Sequence, residues 1–167
     1  ANIVLLEKGS EPLTKVKISG GGRCNVTHNL FDPVLLSEKY PRGSKELRAA
    51  FERFQPRDTV AWFESKGVAL KAEADGRMFP ITNSSSTIID CLTREAIKEG
   101  VEIRLGSAIT AIYVDKTKEE NKFCLVDSEE QNLFFDKLLV ATGSNRKVWS
   151  WLEALGHTIE NPVPSLF

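Results

Sequence analysis

The sequence predicts an α/β fold, in which a parallel sheet is interrupted by an antiparallel meander. An apolar run at residues 3–6 closes on Glu7, and a helix-period segment beginning at 84–86 feeds a period-two strand at 101–105. Three short strands with tight polar turns follow, at 108–114, 123–126 and 133–135. A helix feeding a strand belongs to a parallel sheet, whereas closely spaced strands pair antiparallel.

At 167 residues and 41% hydrophobic content, the chain suits one domain with a sizeable core. Lysine and arginine number 22 against 23 acidic residues, a net charge of -1 that provides no broad basic field. Neither nucleic acid nor a membrane is therefore an expected partner. Cys24, Cys91 and Cys124 are odd in number and lack a C-x-x-C spacing, which argues against a disulfide framework and a zinc site, so no metal is expected. A cytoplasmic location fits, and a plastid one if the chain is eukaryotic. No apolar run approaches the roughly 18 residues of a membrane span. The chain opens on Ala1 rather than methionine and stops at Phe167 without a polar tail, so a partial chain is expected.

Residues 3–6 have the look of a strand buried on both faces, ended by Glu7, Lys8 and Gly9. Residues 10–17 read as polar connection. Residues 28–43, carrying Pro33 and Pro41, read as a long loop of the kind that tends to be functional. Ser44 N-caps a helix at 45–54 with Leu47, Ala50, Phe51 and Phe54 along one face. Pro56 opens a second helix that Gly67 closes. A short strand at 68–72 leads to Gly76-Arg77-Met78-Phe79-Pro80, read as a turn with Arg77 as a solvated charge. Ser84, Ser85 and Ser86 cap the strongest helix, striped by Ile88, Ile89, Leu92, Ala96 and Ile97 and stopped by Gly100. Cys91 is simply a helix residue in this reading. After the meander, with its turns at 115–122 and 127–131, residues 137–143 repeat the opening theme: a buried apolar strand ending on Ala141-Thr142-Gly143. A helix from Arg146 to Leu155 closes at Gly156, and His157 is a turn residue rather than a base.

The most informative stretch is Ile18-Ser19-Gly20-Gly21-Gly22-Arg23-Cys24-Asn25-Val26-Thr27. Adjacent glycines let a backbone approach a ligand and expose its N–H groups, and Arg23 sets a fixed positive charge beside them, which suits an anionic cofactor. A flexible linker is the plainer reading, yet linkers run longer and mix in serine. A P-loop is excluded because no Gly-Lys-Ser/Thr follows. Glu7 stands where a dinucleotide site keeps its ribose-binding carboxylate, although a charged residue also simply ends a strand.

Residues 18–25 with Thr27, Gly76-Arg77-Met78-Phe79-Pro80, Ala141-Thr142-Gly143, and Gly156-His157-Thr158-Ile159 followed by Pro164-Ser165-Leu166 resemble one flavoprotein family. This is the BaiN-type, aminoacetone oxidase-like NAD(P)/FAD-dependent oxidoreductases, within the two-dinucleotide-binding-domain flavoproteins. The resemblance implies a Rossmann-like FAD-binding domain with a parallel sheet and an antiparallel β-meander, incomplete at both ends. Residues 1–167 would form a partial FAD-binding domain, with the first strand and G-x-G-x-x-G turn, and a substrate-domain insertion after 167, outside the chain. FAD is the implied cofactor, NAD(P)H the implied reductant, and a small molecule the implied substrate.

By the same resemblance, Glu7 would bind the adenosine ribose, flanked by Lys8. Ser19, Gly20, Arg23, Cys24 and Asn25 would wrap the cofactor, with Arg23 near its phosphates or flavin edge. Ile109 would offer backbone contacts to adenine, and Thr142 and Gly143 would line its path. Ser144 stands where many members have a second glycine after A-T-G. The hard chemistry would be the cofactor's, and no catalytic acid or base stands out. Cys24, without a partner cysteine, reads as a packing or cofactor-wall residue. Because the largest phosphate contact would come from the glycine turn outside the chain, residues 1–167 alone are expected to bind FAD weakly or not at all. The alternative is a non-catalytic remnant or interaction module that keeps the α/β shell without its cofactor.

Overall fold

The computed structural model describes residues 1–117 and 122–162. In chain order its first elements are β1 (Val4–Leu6), α1 (Thr14–Gly22), β2 (Thr27–His28), α2 (Pro33–Glu38), α3 (Ser44–Arg53), α4 (Pro56–Ser65), β3 (Leu70–Ala72) and β4 (Arg77–Pro80). They are followed by α5 (Ser85–Lys98), β5 (Glu102–Arg104), β6 (Ile109–Asp115), β7 (Lys122–Asp127), β8 (Asn132–Phe135) and α6 (Arg146–Ala154). The described residues divide into two compact units, one built on Ala1–Ile3 and Leu13–Glu102, the other on Val4–Pro12 and the described residues between 103 and 162.

In the first unit, helices surround a three-stranded sheet of order β2-β4-β3 with antiparallel pairing throughout. Its core gathers Cys24, Phe63, Val68, Ile88 and Cys91, with Val16, Val26, Leu70 and Leu92 packed against them. Ser44, expected as an N-cap, is instead the first residue of α3, which follows Gly43 without a side-chain cap, whereas α4 and α5 open with the expected chemistry. Gln55 N–H donates to Asp58 Oδ2 at 2.8 Å in a capping box that opens α4 ahead of Pro56. Ser84 Oγ accepts from Ser86 N–H at the start of α5.

In the second unit, β1 and β5 form a two-stranded sheet. Glu102 N–H donates to the Ile3 carbonyl and Glu7 N–H to the Arg104 carbonyl, so both strands ascend together and the pair is parallel. β6, β7 and β8 make the expected antiparallel meander, with Tyr113 opposite Cys124 and Cys124 opposite Phe134. The fold is thus Rossmann-like α/β with a parallel sheet and an antiparallel meander. Among the described residues, no helix is long and apolar enough to cross a membrane.

Four further expectations are corrected. Residues 10–17 are not merely connection, because α1 begins at Thr14. It is held by tertiary contacts: Val16 packs on the core and buried Ser85 Oγ donates to the Lys17 carbonyl at 2.9 Å. Within 28–43 lies α2, whose first turn Asp32 caps by accepting from Val34 and Leu35 N–H at 2.8 and 3.0 Å. Residues 77–80 are not a turn but the central strand β4, with Met78, Phe79 and Pro80 buried, and the turn is confined to 73–76. The strand expected at 137–141 does not form a ladder among the described residues, and Leu139 is 89% exposed. An apolar run reads as a buried strand only if neighbours accept its backbone hydrogen bonds. Residues 118–121 of the charged turn expected at 115–122 and the whole Pro164-Ser165-Leu166 motif lie outside the described residues.

One buried carboxylate links α4 to α5. Glu95 Oε2 lies 2.9 Å from Lys66 Nζ, with Arg94 and Lys98 at its rim. The Lys66 hydrogen bond, opposed by desolvation and helped by the Lys66 and Lys98 charges, holds the Glu95 carboxyl below its ordinary 4.5. A carboxyl depressed on folding stabilises the native state fully above its unfolded pKa and loses that contribution as pH falls through its folded value. The urea midpoint is therefore expected to fall as pH drops below about 4.5, and Glu95→Gln should flatten that decline. An equally steep acid limb in the variant would assign it to other carboxylates.

Candidate functional site

The glycine stretch sits where α1 loses its helical course. Ser19 is extended (φ -64°, ψ 148°), and Gly20, Gly21 and Gly22 follow with φ of 55°, 67° and 82°. All three occupy the left-handed region that glycine enters without strain. Arg23 returns to the right-handed region and Cys24 goes left again at φ 61°, while the N–H groups of Arg23 and Cys24 both turn back on the Ser19 carbonyl. The glycines are not equivalent. A Cβ on Gly20 would lie 2.9 Å from the Asn25 nitrogen and 3.0 Å from Phe79 Cε1, whereas one on Gly21 would meet nothing within 4 Å. Gly20 allows close packing beneath the turn, and Gly21 leaves its backbone open.

The side chains that follow point to different tasks. Arg23 Nη1 donates to Glu73 Oε1 at 2.5 Å, and its guanidinium carbon lies 4.0 Å from the Phe79 ring centroid. Cys24 is 7% exposed and belongs to the core, so its place is packing. With the Asn25 amide oriented to satisfy its neighbours, its nitrogen donates to the Thr27 and Met78 carbonyls at 2.9 and 3.3 Å, stapling the loop to β4. Ser19 Oγ donates to the Val16 carbonyl at 2.9 Å and closes the last turn of regular helix.

Arg77, expected to be a solvated charge, is half exposed but partnered. Its Nε lies 2.7 Å from Asp75 Oδ2 and its Nη2 3.7 Å from Glu73 Oε2. The Arg77 N–H, then its guanidinium, hold the Asp75 carboxyl below its ordinary 3.8. Sequence reasoning missed Glu73 and Phe79. Phe79 lies inside the quoted Gly76–Pro80 motif and was within reach, whereas nothing in the sequence marks Glu73.

In the second unit, Glu7 ends β1 and is half-buried, one carboxylate oxygen accepting from Gly9 N–H at 2.7 Å. The turns after the two parallel strands lie side by side: Ser107 N–H donates to the Glu7 carbonyl at 2.8 Å and Gly106 N–H to the Gly9 carbonyl at 2.9 Å. This is the carboxyl end of the parallel pair, where open α/β sheets bind ligands. Lys8 is exposed beside it. A cleft of about 320 Å³ opens between the 104–107 turn and the β7–β8 turn, lined by Ser107, Asp127 and Glu129, but neither Glu7 nor Lys8 lines it. Ile109 begins β6 opposite Asp127, just before a register shift. Thr142 and Gly143 are exposed, Gly143 at φ 66°, and lead into Asn145, whose side chain caps α6 by accepting from Lys147 and Val148 N–H. Ser19, Gly20, Arg23, Cys24 and Asn25 are thus brought together in one unit, and Glu7 and Lys8 share a turn in the other.

Comparison with known proteins agrees with the fold. Residues 1–163 match the family model described as HI0933-like protein Rossmann domain. A ribosomal RNA dihydrouridine synthase from Escherichia coli is 30% identical over 141 residues, 84% of this chain and 33% of that protein. A 3-dehydro-bile acid delta(4,6)-reductase from Clostridium scindens is 22% identical over 174 residues, 99% of this chain and 40% of that protein. The chain therefore spans between a third and two fifths of the length of these relatives. A crystal structure of FqzB shares the fold at a TM-score of 0.50 and 18% identity, over 92% of this chain and 33% of that one.

Proposed function

Because this chain belongs to the HI0933-like Rossmann domain family, we propose that it is the FAD-binding portion of a flavin-dependent oxidoreductase. The observation that carries the reading is the match of nearly the whole chain, residues 1–163, to that family. The residues suit such a group. Gly21 leaves its backbone open, since a Cβ there would meet nothing within 4 Å, and Glu7 sets a carboxylate, held by Gly9, at the carboxyl end of β1.

In this proposal, Glu7 accepts the ribose hydroxyls, with Lys8 flanking them. The turn around Gly20 and Gly21 brings the backbone against the cofactor, and Arg23 offers its guanidinium to an anionic edge. Ile109 presents backbone to adenine, and Thr142 and Gly143 line the approach. Cys24 and Asn25 act from behind, one by filling the core and the other by stapling the loop to β4. When bound, FAD supplies hydride and electron transfer at its ring. NAD(P)H as reductant and a place among the BaiN-type, aminoacetone oxidase-like members are further parts of the proposal.

The names of the two relatives denote one kind of chemistry, the addition of two hydrogens across a carbon–carbon double bond of a ring. We therefore propose an unsaturated ring as the substrate class of the whole protein, whether free or carried in a larger molecule. A uridine-containing RNA and a steroid enone, assayed separately, distinguish these sources.

FAD titration of the whole protein that carries residues 1–167, followed by quenching of flavin fluorescence, tests the cofactor reading. Saturable binding, displaced by ADP, is expected. Glu7→Ala should weaken it about tenfold, the worth of about 1.4 kcal/mol of lost hydrogen bonding to a charged group. Absence of saturable quenching in the unaltered whole protein would falsify the reading.

A further inference from the structure

Phe79 is the floor of the glycine turn. It is 0% exposed, its Cε1 would lie 3.0 Å from a Cβ on Gly20, and the Arg23 guanidinium carbon stands 4.0 Å from its ring centroid. Glu73 closes the arrangement from the side, 2.5 Å from Arg23 Nη1 and 3.7 Å from Arg77 Nη2. Arg77 in turn has its guanidinium carbon 5.5 Å from the same ring centroid. Glu73 takes one N–H of an arginine that has five, and the Arg23 side chain keeps 33% of its surface exposed. A guanidinium held in place this way still has donors to give.

We propose that Glu73 is a positioning residue, which holds Arg23 against Phe79 so that the guanidinium is already in place when an anionic group of the cofactor arrives. This rests on the cofactor reading above. Two effects oppose each other. An arginine fixed in advance loses less rotamer freedom on binding, which favours the ligand. The negative charge of Glu73 disfavours an anion, but that charge is shared with Arg77 and screened at a site about one-third exposed. Positioning therefore outweighs repulsion, and the effect of Glu73 on the ligand runs through Arg23.

A double-mutant cycle on FAD affinity tests this, with Arg23→Ala, Glu73→Ala and the double variant titrated by flavin fluorescence and their thermal midpoints measured alongside. Glu73→Ala is expected to weaken binding about threefold to tenfold when Arg23 is present and less than about twofold when it is not. Glu73→Gln, which still accepts a hydrogen bond from Arg23, should recover most of the loss. Equal factors in both backgrounds, no change, tighter binding by Glu73→Ala, or a glutamine variant as weak as the alanine one would each overturn the proposal. A loss of affinity that follows the thermal midpoint irrespective of Arg23 would do the same. The titrations use the whole protein: if its unaltered form shows no saturable binding, the cofactor reading falls and takes this role with it. Binding by the unaltered protein with additive variants removes only Glu73.

Discussion

Replacing Gly20 with alanine is expected to cost about 2–4 kcal/mol of folding stability, against about 1 kcal/mol for the same change at Gly21. Both residues are left-handed, with φ of 55° and 67°, so both variants carry the strain of an L-residue in that region. Only Gly20 adds a collision, since its new Cβ would lie 2.9 Å from the Asn25 backbone nitrogen and 3.0 Å from the ring of buried Phe79. Neither neighbour is the free end of a flexible side chain. Asn25 is tied by its own amide to the Thr27 and Met78 carbonyls, and Phe79 is enclosed in the central strand of its sheet. The turn itself must move, and Arg23 and Cys24 move with it. Urea unfolding of the two variants measures the difference, and equal losses would show that the backbone conformation, not the packing on Phe79, decides the cost. FAD affinity should follow the same order, because Gly20→Ala shifts the loop whereas Gly21→Ala only encroaches on it.

What could be read from the sequence was whatever local signals determine by themselves. α5 was legible because Ser84 caps it, Gly100 ends it and its apolar residues keep helical spacing over 14 residues. The meander was legible because alternation and turn residues repeat three times. α1 and α2 were not. They are 9 and 6 residues long, too short to be stable alone, and they exist because Val16, Ser85 and the Asp32 cap hold them. β4 was hidden by its own composition, since Gly76 and Pro80 bracket it like turn residues. In the structure Gly76 makes the tight turn at φ 83° and Pro80 sits at the strand end.

The candidate site divides along the same line. Its backbone was legible because three adjacent glycines announce an unusual conformation. Its side-chain organisation was not, because Arg23 finds Glu73 fifty positions away and only the fold supplies that pairing. Cys24 and Asn25 have tasks inside the protein as well: burial gives Cys24 the packing role that its lack of a partner cysteine suggested, and hydrogen bonding makes Asn25 a staple that no motif announces.

Phe79→Ala is expected to be the most damaging single substitution at the site, at about 3–5 kcal/mol, the cost of emptying a fully buried aromatic position. Phe79 sits opposite Lys71 on β4 and is 0% exposed, so the cavity would lie between the sheet and the glycine turn rather than at a surface that could collapse. The variant also removes the ring against which Arg23 stands at 4.0 Å, a contact worth about 0.5–2 kcal/mol depending on its desolvation. Phe79→Leu separates the two effects. It keeps most of the apolar volume and should cost about 1–2 kcal/mol, but it offers the guanidinium no π-face. Urea unfolding reports the first loss, and exchange of the Arg23 Nε–H with solvent reports the second. If leucine protects that proton as well as phenylalanine does, Glu73 alone holds Arg23 and the ring is filler. If leucine leaves the fold nearly intact while the proton exchanges faster, the ring and the carboxylate act together in placing the charge beside the glycine turn.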